Sequence, residues 1–196
     1  MSKTTIPTGG LADAAVTTAK ITDANITTAK IADDAVTAAK STGLGISMAQ
    51  VWRLSSSFTG DAQPIASNLE AQDTYSSGSI GSAMTQSSGI FTFPSTGIYL
   101  VTFTPVMNAN SGTDYADFKI QTTTDNSSYN TMAQGFEGAS TSVSYGGTIL
   151  QTTVDVTNTS NVKVRFMATQ SDTNNKIRGQ STYNRTMFTF MRLGDT

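Results

Sequence analysis

Six side chains have the chemistry to hold a hard cation. Asp114, Asp117 and Asp125 lie in one stretch, and Asp172, Asn174 and Asn175 in another. Carboxylate and amide oxygens of this kind are what calcium takes. Their spacing is not that of a helix–loop–helix calcium site, and the same residue types close local turns by accepting hydrogen bonds from nearby backbone N–H groups, which accounts for them without metal. Glu70 and Glu137 are far apart in sequence and make no carboxylate pair for acid–base work. The 196 residues include no Cys and no His, which removes thiol nucleophiles, disulfides, the usual zinc sites and Ser-His-Asp triads together. The expectation is a protein without catalytic apparatus and without a bound cofactor. Aromatic side chains are the other candidates. Tyr75, Tyr115, Tyr129, Tyr145 and Tyr183 fall near polar loops, where an aromatic ring can stack on a sugar or on a partner protein. Trp52, the single Trp, falls in an alternating segment and reads as a core or interface residue.

The elements that position these residues are read from composition and pattern. Charged residues are 13% of the chain, about half the usual share. Thr, Ser, Asn and Gln take their place, and these suit strands and turns better than helices. Net charge is −2 with no basic run, so nucleic acid is not an expected partner. No apolar stretch approaches the ~20 residues of a membrane-spanning helix, so no membrane insertion is expected. The first residues, Met1 to Pro7, lack an apolar signal core, which predicts a chain that begins in the cytoplasm of the cell making it.

Residues 11–40 are a tandem repeat of ten residues: Leu11 to Lys20, Ile21 to Lys30 and Ile31 to Lys40 align block on block. Large apolar residues recur every five positions, at Leu11, Val16, Ile21, Ile26, Ile31 and Val36. That spacing walks around a helix and alternates faces on a strand, so one copy makes no dry face. A fibre in which several chains wind together, each sending these residues to a common axis, satisfies the pattern. A solvated Ala/Thr-rich tail, or a series of short helical turns, are the other readings. Asp13, Asp23 and Asp33 and the block-ending Lys20, Lys30 and Lys40 are placed to pair between chains, each exposed pair contributing only about 0–1 kcal/mol. The blocks resemble those at the N-termini of bacteriophage fibre and other virion appendage proteins.

Ser41 to Gly45, with two Gly, marks a junction. Residues 1–10 are expected to be an anchor to a particle, 11–46 a repetitive stalk with its Gly-rich junction, and 47–196 a head. From Met48 on the periodicity becomes two. Alternating runs are Ala49 to Leu54, Gly89 to Pro94, Gly97 to Met107, Tyr115 to Thr123, Thr148 to Val156, Asn161 to Ala168 and Thr186 to Leu193, separated by Asp/Asn/Ser/Thr clusters. Pro105 within the long third run predicts an edge or a bulge. Short strands divided by polar turns predict an all-β sandwich or jelly roll.

The stretch from Ser88 to Phe103 carries Gly89, Phe91, Pro94, Gly97, Tyr99 and Phe103. It resembles the signature of the globular head of the first complement component, in the tumour-necrosis-factor-like superfamily. The segment from Asn68 to Tyr75 resembles that family's variable loop. Gly147 to Val156 and Met187 to Leu193 resemble two of its later strands, although the family's Gly-Asp turn is replaced by Asn158 to Asn161 and its final Gly by Thr189 or Phe190. The resemblance spans about residues 48–196 and implies a jelly roll of about eight to ten strands that packs as a homotrimer, commonly behind a fibrous stalk. It also implies calcium near the trimer axis as a possibility. Together the two resemblances imply a structural virion protein of a bacteriophage, located in the virion as a tail or head fibre. Its N-terminus would hold other virion proteins, and its head would meet a host surface glycan or protein or neighbouring virion proteins. A capsid decoration protein and an extracellular adhesin are the alternatives.

Overall fold

The computed structural model describes residues 45–111, 114–139 and 144–196, with the single positions 17, 21, 26, 27, 29, 31, 32 and 35 in the repeats. The chain divides into two units, Met1–Thr42 and Gly43–Thr196. The second unit is all-β.

Fourteen strands are present among the described residues: β1 (Met48–Leu54), β2 (Ser56–Thr59), β3 (Leu69–Ala71), β4 (Thr85–Ser87), β5 (Ile90–Thr92), β6 (Gly97–Thr104), β7 (Val106–Asn108), β8 (Tyr115–Thr123), β9 (Asn130–Gly138), β10 (Tyr145–Gly147), β11 (Leu150–Val156), β12 (Lys163–Gln170), β13 (Lys176–Gln180) and β14 (Met187–Gly194). Ten form a sandwich. The front sheet runs β11-β6-β14-β1-β3 and the back sheet β4-β5-β12-β8-β9. Every named strand pair is antiparallel and most neighbours are distant in sequence, as in a jelly roll; Met48, for example, faces Arg192.

The remaining four strands form an extension sheet, β10-β7-β13-β2. Its order repeats that of β11-β6-β14-β1, because each member directly continues or precedes one of those four. Pro105 is where the long third run breaks into β6 and β7. It lies on an interior strand path, not at an edge: a residue without an N–H interrupts the ladder there. Thr186, fully buried, closes the gap. Its hydroxyl accepts from the Val106 N–H at 3.0 Å and its carbonyl from the Leu54 N–H at 3.0 Å.

The core lies between front and back sheets. Alternate residues of β6 (Tyr99, Val101, Phe103) and β14 (Phe188, Phe190) meet Phe91, Phe118 and Phe166 from the back sheet, all fully buried. Phe103 and Phe188 stack with ring centroids 5.1 Å apart, and Phe166 sits 4.6 Å from Phe188. Trp52 meets Phe91 edge-on at 5.3 Å while its Nε1 donates to Gln50 Oε1, so it is a core residue. Aromatic pairs in such geometries add about 0.5–1.5 kcal/mol each to the burial itself.

Candidate assembly surface

The signature residues hold the fold together and are not a contact surface. Gly89 has φ +79°, and a Cβ there would lie 2.2 Å from the Ile65 carbonyl oxygen. Gly97 has φ +138°, with Arg192 Nε and Gly194 O both 2.5 Å from the place a Cβ would take. Phe91, Tyr99 and Phe103 are fully buried, and Pro94 is half-buried at the turn between β5 and β6. The Tyr99 hydroxyl donates to the Ser95 carbonyl at 3.0 Å and lies 2.9 Å from the Ser95 hydroxyl, closing that turn. The Asn158 to Asn161 turn is also self-made: Asn158 Oδ1 accepts from the Ser160 N–H at 2.8 Å and the Asn158 carbonyl from the Val162 N–H at 2.8 Å.

The two outer faces of the sandwich differ in kind. Across the back sheet, Asp117 pairs with Lys119 at 2.7 Å and accepts from Gln134 Nε2 at 3.0 Å, and Arg165 Nε donates to Gln121 at 2.9 Å. The Arg165 guanidinium lies 3.9 Å over the Tyr129 ring, and burial pushes the Tyr129 hydroxyl up from its ordinary value. This face carries charged side chains: Asp117 is paired with Lys119, and Arg165 is held by Gln121 and the Tyr129 ring.

The front sheet carries the opposite. One row across four strands is Ala49, Met191, Leu100 and Thr153; the next is Val51, Thr189, Thr102 and Gln151. No charged side chain stands in either row. Six of these eight residues are half-buried, Thr153 and Gln151 on β11 being exposed, and Gln151 Nε2 donates to the Thr102 hydroxyl at 3.1 Å.

Further exposed apolar side chains lie on or beside the strands at the side of the sandwich where β9 and β11 are terminal. Met132 is 49% exposed and Phe136 61% on β9; Tyr145 on β10 is 61% exposed and Ile149, before β11, 71%. Met132 is the extra residue of a β-bulge, since Ile120 faces Ala133 while Gln121 faces Thr131. A cavity of about 250 Å³ opens beside it, lined among others by Asn130, Met132, Thr153 and Asp155.

The oxygen donors do not converge. Asp125 accepts from the backbone N–H of Ser127 and of Ser128, each at 2.8 Å, and from the Thr123 hydroxyl at 2.7 Å. The Ser128 N–H is the largest of the contacts that hold its carboxyl well below the ordinary range. The Asn174 N–H, then the Asn110 amide, lower Asp172. Asp114 accepts from the Ser111 N–H, Asp117 is spent on the back face, and buried Asn175 accepts from the Asn110 N–H at 2.8 Å. Among the described residues no three acidic side chains form a metal-holding group. In the repeats, Ile21, Ile26 and Ile31 are 40%, 55% and 41% exposed, while Leu11, Val16 and Val36 lie outside the described residues.

The fold is that of the tumour-necrosis-factor jelly roll. The crystal structure of murine APRIL at pH 5.0 superposes with a TM-score of 0.54 at 10% identity, over 74% of this chain and 98% of that one. The structure of Eiger TNF from S. frugiperda superposes with a TM-score of 0.53 at 14% identity, over 76% of this chain and 94% of that one. At such identities the likeness is one of fold. No protein-family model matches the sequence, and no curated protein sequence does.

Proposed function

We propose that this protein is a structural component of a bacteriophage virion, a homotrimeric fibre or appendage whose jelly-roll head stands on a repetitive stalk. The two uncharged rows on the outer face of the front sheet carry this reading. They are half-apolar and are matched by the exposed apolar side chains near the β9/β11 edge. Two unlike complementary patches make a head-to-tail contact, and such a contact closes into a ring when the rotation permits. Three copies close the smallest ring in which each edge meets the next copy's front face. The repeats fit the same symmetry: an apolar residue every five positions is buried only when other chains supply the rest of the axis. The N-terminus would attach to other virion proteins, and the head would meet a host surface or neighbouring virion components. No catalytic role is assigned.

Sedimentation of the full-length protein tests the assembly, with the expected particle having three times the 20.6 kDa chain mass. A folded monomer persisting at micromolar concentration would overturn it. Antibody labelling of the head on intact phage particles, viewed by electron microscopy, tests the location; unlabelled particles would remove the virion assignment.

A further inference from the structure

Arg53 stands on the outer side of the front sheet, yet only 1% of its surface is exposed. The chain following β3 covers it. Arg53 Nε donates to Glu70 Oε1 at 2.6 Å, Nη2 to Asp73 Oδ1 at 2.7 Å and Nη1 to the Thr74 hydroxyl at 2.7 Å. Every nitrogen of the guanidinium is thus spent on β3 and the loop that follows it. The Thr74 hydroxyl in turn donates to the Thr182 carbonyl at 3.0 Å, and Asn184 Nδ2 donates to Gln72 Oε1 at 3.1 Å. The loop before β4 and the loop before β14 are stapled together.

A tyrosine stands immediately beyond the staple on each loop. Tyr75 follows Thr74. It is 85% exposed, the highest value among the exposed large hydrophobic side chains described, and its φ is +56°. A bulky side chain in the left-handed region is strained. Tyr183 follows Thr182 and is 46% exposed, its hydroxyl accepting from Arg185 Nη2 at 2.9 Å and Nε at 3.3 Å. Bond lengths and the staple put the two α-carbons within about 15 Å of each other. A strained backbone that holds an aromatic ring out in water, locked by a buried guanidinium, is the mark of a recognition element.

We propose that Tyr75 and Tyr183 form a platform that binds an uncharged saccharide by stacking on its ring faces. This rests on reading the head as the part of the fibre that meets a host surface. Tyr75 offers an apolar ring with a polar tip, and Tyr183 a ring whose hydroxyl is held by Arg185, the guanidinium lying 5.5 Å from its centroid; an aromatic face matches the C–H face of a sugar ring. Thr74 and Ser76 flank one ring, Thr182 and Asn184 the other, so hydrogen-bonding groups surround both. The Arg53 charge is offset by Glu70 and Asp73, and the Arg185 guanidinium is engaged by the Tyr183 hydroxyl. A large protein partner would call for an apolar centre fenced from water, which the immediate neighbours of these rings do not supply.

The full-length protein is applied to an array of uncharged oligosaccharides built from glucose, galactose, mannose and N-acetylglucosamine, with sialylated and sulfated glycans alongside. Wild type is expected to retain a subset of the uncharged glycans. Tyr75→Ala combined with Tyr183→Ala lowers that binding about tenfold or more, and the Phe variants stay within about threefold because the ring faces remain. Binding to no uncharged glycan, binding to acidic glycans alone, binding only to deglycosylated host surface protein, or undiminished binding by the double Ala variant each overturns the proposal. Sedimentation and particle labelling report on the fibre separately, so a blank array with an intact trimer removes this proposal alone.

Discussion

Gly89 shows how little freedom the head signature leaves. With φ +79° and the Ile65 carbonyl oxygen 2.2 Å from any added Cβ, Gly89→Ala must both strain the backbone and displace the strand entry. The expected cost is about 2 kcal/mol or more, read as a lowered urea midpoint with unchanged slope; an unchanged midpoint would refute the account. Asp125 makes a different single-residue argument. Its folded value is depressed, so the stability it contributes is fully present above the unfolded carboxylate value near 4 and is lost as pH falls below it. Asp172 acts with the same sign. Asp125→Asn keeps an acceptor for the Ser127 and Ser128 N–H groups but does not titrate. Its stability should therefore decline less steeply than wild type between about pH 4 and about pH 2. Parallel acid-denaturation curves would show that the turn is not held by the carboxylate.

Among the elements, the strands with clean alternation stand where the pattern puts them. Tyr115 to Thr123 is β8 without a residue of difference, while Thr148 to Val156 loses two residues to a loop. β9 lacks the pattern because it is an edge strand with a bulge and a mostly exposed face, so no core selects its alternate residues. The short β2, β3, β4, β10 and β13 offer too few positions for a period to register. The loop after β3 depends on Arg53, and Arg53→Met tests this. Glu70 and Asp73 are 35% and 72% exposed and return to water without large cost, so the sandwich stays folded. Released from its clamp, the segment 72–79 is expected to be cleaved about tenfold faster in limited proteolysis. Equal cleavage would mean that the loop holds itself.

For the whole molecule, the asymmetry between the two outer faces has the largest consequence. Leu100 and Met191 face each other at the middle of the neutral rows. Leu100→Asp with Met191→Asp places two carboxylates per copy where the proposed neighbour packs. Burying them would cost several kcal/mol or force their protonation. The expected result is a monomer by sedimentation with an unchanged β-type circular dichroism spectrum. A variant that stays trimeric would show that the contact lies elsewhere.

All-β architecture, the repeat and most of the long strands follow from local rules: a period of two reports which residues alternate, and Gly or Asn at a turn reports where φ must be positive. Alternation is silent about which of a strand's two faces is covered and by what. Ala49, Val51, Leu100 and Met191 stand on adjoining rows only because β1, β14 and β6 pair across more than eighty residues of sequence. Arg53 reads as a solvated charge until the loop after β3 folds over it. The loops of Tyr75 and Tyr183 are joined by two hydrogen bonds, between residues 108 and 112 positions apart. These features arise from long-range strand pairing, whose register is set by the shared core rather than by any neighbouring residues.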